Sequence, residues 1–142
     1  MRYLVATDGS PEGDDAVAYA ARHAAAFDAE LELVHVLTPR TRSVDGEAVF
    51  EGETETAEQG ERLLEAAREI AADVAGFDGE ERIDTRLLTG RPAHAIAEYT
   101  EAIDADAVYI GHRGLSSERE KVVGSVAKGV VDEASVPVTV VR

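Results

Sequence analysis

At 142 residues the chain has the length of one compact domain, enough to bury an apolar core without metals or disulfides. It contains no cysteine, which excludes a disulfide framework, a thiolate metal site, an iron–sulfur cluster and a cysteine nucleophile. Acidic residues number 29 against 14 basic ones, a formal net charge of -15, so the chain lacks the basic footprint that nucleic acid or an anionic membrane requires of a partner.

Arg2 to Thr7 is a short apolar run closed by the turn cluster Asp8-Gly9-Ser10-Pro11, which predicts a first strand buried on both faces. This run meets an acidic group at once, unlike a signal-peptide core, and no apolar stretch approaches the roughly 18 residues needed to span a bilayer. The expectation is a soluble cytoplasmic protein. Ser10 as N-cap and Pro11 at the first helical position open a helix whose inner face is Val17, Ala20, Ala21, Ala24 and Phe27. Leu31 to Leu37 is the second strand. Thr38 to Gly52 has no period, mixes Pro, Gly and charges, and predicts a long mobile surface loop. In the second helix Leu63, Leu64, Ala67, Ile70, Ala71 and Val74 mark the buried face, and Gly76-Phe77-Asp78-Gly79 closes it. Ile83 to Leu88 includes polar Asp84 and Arg86, which predicts a third strand near a sheet edge. Gly90-Arg91-Pro92 starts a third helix with Ala93, Ile96, Ala97, Thr100 and Ile103 inward. Ala107 to Ile110 is a very apolar fourth strand running into the loop 111–123. Ser125 to Ala134 is the fourth helix, and Val136 to Val141 the fifth strand.

The order βαβαβαβαβ predicts an α/β fold over residues 1–142: one doubly wound, Rossmann-like parallel sheet with helices on both faces. In such folds ligands sit outside the carboxyl ends of the strands, where successive connections run in opposite directions. Function is therefore expected after strands one, two or four.

The loop after strand four is the richest in binding chemistry. Glycines at 111 and 114 permit left-handed backbone and close approach of a ligand to the main chain. Gly124-Ser125-Val126 sets amide groups and the positive end of a helix dipole where an anion can sit, while a plain turn followed by a serine N-cap is the structural alternative. His35 reads as a hydrogen-bonded core histidine, and His23 and His94 lack a second metal ligand at matching spacing. No G-x4-G-K-[ST] sequence occurs, which speaks against a dedicated ATPase. A phosphorelay receiver is ruled out by strand three ending in Leu88-Thr89-Gly90, where that fold needs a phosphorylatable aspartate.

The spacing G-x2-G-x9-G-S at Gly111, Gly114, Gly124 and Ser125 resembles the ATP-binding signature of universal stress proteins. The resemblance covers essentially the whole chain: Val5-Ala6-Thr7-Asp8-Gly9-Ser10 is similar to the family's first strand and turn, Leu33-Val34-His35-Val36 to its second strand, and Gly90-Arg91-Pro92 to the start of its third helix. It implies the strand order 3-2-1-4-5 and bound ATP with magnesium. Asp8 would contact the ribose or a metal on the phosphates, and the backbone of Val36 would read the adenine edge. Gly111 and Gly114 would line the ribose and phosphates, and Gly124, Ser125 and Val126 would hold the phosphate tail. It also implies a homodimer through the edge strand 137–141. The function implied is a regulatory or stress-response nucleotide-binding module with at most slow ATP hydrolysis. A nucleotide-independent interaction module and a genuine hydrolase are the alternatives. The chain departs from the pattern at His112-Arg113, where the family often has a small polar residue after the first glycine; Arg113 either pairs with a phosphate or is a solvated loop charge. The acidic segment Asp45 to Glu61 would repel a polyphosphate if it folded over the site. Acidity joined to only two lysines, Lys121 and Lys128, points to a halophilic archaeon, where molar salt with a Debye length of about 3 Å screens self-repulsion.

Overall fold

The computed structural model describes residues 1–37, 41–44, 47–50, 56–76, 82–112 and 123–142. In chain order the elements are β1 (Arg2–Ala6), α1 (Pro11–Ala26), β2 (Glu30–Leu37), β3 (Thr41–Val44), β4 (Glu47–Phe50), α2 (Ala57–Ala75), β5 (Ile83–Thr89), α3 (Pro92–Ala102), β6 (Ala107–Gly111), α4 (Ser125–Glu133) and β7 (Val138–Val141). Five strands form one parallel sheet in the order β5-β2-β1-β6-β7, which is the expected 3-2-1-4-5 arrangement.

Successive residues of the central strands feed two cores. Val5, Leu31, Leu33 and Tyr109 pack under α1 and α2, while Leu4, Ala6, Val34, Val108 and Ile110 pack under α3 and α4. Burial on both faces is why these strands read as unbroken apolar runs. On α1, Ala16, Ala20, Ala21 and Ala24 are fully buried, so the helix lies close to the sheet.

Local signals agree with the packing. Ser10 caps α1 by accepting from the Gly13 amide, and Thr56 with Gln59 forms a reciprocal capping box on α2. The second helix stops at Gly76, left-handed at φ 61°, as the sequence predicts. Helices α1 and α3 end alike: an aspartate in left-handed backbone (Asp28, φ 55°; Asp104, φ 53°) precedes a buried alanine. The amides of Ala29 and Ala105 donate back to the carbonyls of Ala24 and Thr100.

Some expectations need correction. Residues 41–44 and 47–50 pair as antiparallel strands within the segment expected as a long mobile surface loop. Phe27 lies outside the core at 59 % exposure, because α1 ends at Ala26 and the chain turns away through Asp28. The last strand begins at Val138, two residues later than its apolar run.

Helices α1 and α2 share one face of the sheet, α3 and α4 the other. The chain leaves β1 for β2 through α1 and reaches β6 through α3, so the direction of winding reverses between the neighbours β1 and β6. Their carboxyl ends are the switch point where such folds bind ligands.

Candidate functional site

At the end of β1 the ladder to β2 continues for one residue, the Thr7 amide donating to the Val34 carbonyl at 3.0 Å. Buried His35 donates from Nδ1 to the Thr7 carbonyl at 2.8 Å, the role in the core expected from the sequence. The chain then turns at Gly9, φ +79°, whose amide donates to Thr7 Oγ1 at 3.2 Å. Asp8 Oδ1 accepts the Ser10 amide at 3.0 Å, and Ser10 Oγ accepts the Gly13 amide at 3.0 Å. This relay holds half-buried Asp8 at the strand's mouth, against the first turn of α1. A Cβ on Gly13 would lie 2.6 Å from Thr7 Oγ1 and 3.1 Å from Asp8 Oδ1. Charge is concentrated here: the Asp14 carboxyl is pushed above its ordinary value by burial, with repulsion from Asp15 and Asp8 adding to it.

The end of β6 approaches the same helix turn. Gly111 pairs with Val141 of β7, and a Cβ on it would fall 2.8 Å from the Glu12 carbonyl oxygen. Among the described glycines positive φ belongs to Gly9, Gly76 and Gly90. Gly111 is therefore needed for close approach and does not use the left-handed freedom anticipated for it.

Beyond Gly111, the His112 amide donates to the Val141 carbonyl at 2.7 Å and the Gly124 amide to the His112 carbonyl at 2.8 Å. That second bond fixes the start of α4 to the end of β6. Gly124 is the N-cap (φ -64°, ψ 159°), and α4 receives no side-chain cap among the described residues. Ser125 is the first helical residue and exposed, which replaces the serine N-cap weighed as the structural alternative. Val126 and Val36 are half-buried against the core beneath α3 and α4, and Val36 pairs with Leu88 of β5.

The fold thus gathers Asp8, Val36, Gly111, Gly124, Ser125 and Val126 along the carboxyl edge of adjoining strands. Gly114, Arg113, Glu118 and Lys121 lie outside the described residues. His112, which the sequence marked only as a departure, is 94 % buried, with Nε2 lacking a hydrogen-bond partner among the described residues. No sequence pattern signals an orphaned ring nitrogen.

The other histidines have local partners: His23 Nδ1 with the Tyr109 hydroxyl at 3.0 Å, and His94 with Glu98 at 3.1 Å and Glu133 at 3.5 Å. Among the described residues no group of three His, Asp or Glu could hold a metal ion. A polar cleft of about 480 Å³ opens at the opposite, amino ends of the strands. Its arginines are engaged by its own acids, Arg2 with Glu30 at 2.9 Å and Arg82 with Asp28. None of the described helices is long and apolar enough to cross a membrane.

A sequence model described as the universal stress protein family matches residues 1–142. A universal stress protein of Thermus aquaticus is 37% identical over 139 residues, covering 98% of this chain and 96% of its own length. One of Bacillus subtilis is 31% identical over 150 residues, covering 99% and 98%. Among solved structures, a universal stress protein in complex with cAMP superposes with a TM-score of 0.74 at 27% identity, covering 100% of this chain and 96% of that one. The Archaeoglobus fulgidus universal stress protein in complex with dAMP gives 0.74 at 25% identity, covering 100% and 98%. Matched from end to end by the family's sequence model, by curated relatives and by solved structures, the chain belongs to the universal stress protein family.

Proposed function

We propose that this protein binds ATP with magnesium at the carboxyl edge of β1, β2 and β6 and acts as a regulatory or stress-response module, hydrolysing the nucleotide slowly at most. The observation that carries the reading is α4: a nine-residue helix whose N-cap is glycine, with no side-chain cap among the described residues, bonded to the end of β6 at the switch point. Such a turn presents amide donors and a positive dipole end to an anion. In this reading Gly124, Ser125 and Val126 hold the phosphates, with Gly111 and Gly114 beside them. Asp8 takes the ribose or the metal, and the Val36 backbone takes the adenine. The relatives' complexes with cAMP and dAMP support an adenine nucleotide as the ligand class.

Magnesium fits as a companion of the phosphates. It keeps several waters and commonly takes one or two protein carboxylates, and Asp8 can supply one. Rapid hydrolysis is not favoured, because Asp8 and Asp14 place negative charge at this mouth where phosphoryl transfer needs cations. The same charge favours the second reading, an interaction module that binds no nucleotide. A homodimer through β7, a cytoplasmic location and a salt-rich archaeal cell belong to the proposal as well; the net charge of -15 and the scarcity of lysine support the last.

Calorimetric titration of magnesium-ATP in molar potassium chloride tests the reading, with phosphate release followed in parallel. ATP binding with slow release is expected, and Gly124→Val should abolish binding while circular dichroism is unchanged. A parent protein that binds no ATP under these conditions leaves the interaction module as the function.

A further inference from the structure

Among the described residues, His112 is the buried side chain for which the fold alone gives no use. Along β6, Val108 and Ile110 face the core under α3 and α4, whereas Tyr109 faces the other core and Gly111 meets α1. The ladder continues through the His112 amide to Val141, so the alternation places the imidazole on the α4 side of the sheet. Its carbonyl accepts the N-cap amide of α4, so residue 112 and the first turn of that helix meet at one strand end. The side chain is 94 % buried, and Nε2 is shielded from solvent with no hydrogen-bond partner among the described residues.

Buried polar atoms are nearly always hydrogen-bonded, and one that is not points to a ligand or water absent from the structure. A neutral imidazole can carry its single proton on Nε2 and donate it. Resting on the nucleotide-binding reading above, we infer that His112 is a further phosphate ligand: Nε2–H donates to a phosphate oxygen that the first-turn amides of α4 also bind. The imidazole and the amides together recognise the phosphate, leaving base and ribose to other residues. His112 therefore separates nucleotides from nucleosides.

The test compares magnesium-ATP and adenosine on the parent, His112→Leu and His112→Gln, by calorimetry in molar potassium chloride. Leucine removes the donor at similar volume; glutamine can return an N–H near the Nε2 position. His112→Leu should weaken ATP about ten- to a hundredfold, the range of a lost hydrogen bond to a charged group, with adenosine affinity unchanged. His112→Gln should recover most of the loss. Nitrogen-15 resonances of His112 in the parent give a readout independent of whether the variants fold: Nε2 should shift on adding ATP and stay in place on adding adenosine. A parent that binds ATP with no Nε2 shift, or a folded His112→Leu that binds ATP as tightly as the parent, overturns the role of His112 alone. A parent that binds neither ligand overturns the nucleotide reading and this inference with it.

Discussion

A Cβ built on Gly111 would stand 2.8 Å from the carbonyl oxygen of Glu12 and 3.0 Å from its carbonyl carbon, so the end of β6 and the first turn of α1 touch backbone to backbone. The obstacle is main chain and cannot swing aside. Gly111→Ala should destabilise the fold by about 1–3 kcal/mol, the scale of overpacking in a close-packed interior. Urea denaturation would measure it, and an unchanged midpoint would mean that the two elements part at no cost. Loss of nucleotide binding in this variant would report displacement of the α1 turn as much as loss of a contact, which makes Gly124 the cleaner probe.

Asp8 has a structural task beside its proposed ligand role, since Oδ1 accepts the Ser10 amide. Asp8→Asn keeps an acceptor for that amide and removes the charge. ATP affinity should fall by about 1–3 kcal/mol while the melting temperature holds. Unaltered affinity would reduce Asp8 to a turn residue.

Asp14 supplies a pH dependence of known sign. Its carboxyl titrates above the ordinary 3.8 because of burial first, then Asp15 and Asp8. A folded-state value raised above the unfolded one means a contribution fully present below pH 3.8 and lost as the pH rises through the folded value. At neutral pH Asp14→Asn should therefore melt higher than the parent in dilute buffer. The difference should close as the pH is lowered through the aspartate range. A gap that widened on acidification would contradict the assigned cause.

The same repulsion, summed over a net charge of -15, predicts a steep rise in melting temperature between dilute buffer and molar potassium chloride. Calorimetric scans across that range would measure it. A flat profile would remove the argument for a salt-rich cell.

For the edge strand, the Pro137 and Val141 carbonyls face β6, accepting from Val108 at 2.9 Å and His112 at 2.7 Å. Alternation then turns the backbone groups of Val138 and Val140 outward, where a second copy of β7 could pair with them about a twofold axis. Val140→Pro removes an outward donor and leaves the bonds to β6 in place, a substitution that edge strands accept. Sedimentation in high salt should show a dimer for the parent and a monomer for the variant. A monomeric parent would end the proposal.

The five main strands and four helices were legible in the sequence because burial on two faces writes unbroken apolar runs, and caps such as Ser10 and Gly76 punctuate them. Strand order came from the resemblance, since periodicity carries no information about which strands are neighbours. The β3–β4 hairpin was missed because strands of four residues are too short to set a period, although Asp45-Gly46 between them is a strong hairpin dipeptide. Gly111 could be marked as special but not explained, because its reason lies in Glu12, nearly a hundred positions away in the chain. His112 is the same kind of case: only the packed structure reveals a buried ring nitrogen with no partner among the described residues.

The aspartates that end α1 and α3 set two demands against each other. Left-handed backbone is where glycine folds at least cost, and the carboxyl pole of a helix repels a negative side chain, yet Asp28 and Asp104 occupy both kinds of place at once. Asparagine or glycine at position 104 would firm the helix end and leave the surface less charged, whereas at position 28 it would also give up the ion pair with Arg82. Charge density and local stability are thus separately adjustable at these turns, far from the carboxyl edge, and the protein's tolerance of its solvent can be altered there without touching the residues at the switch point.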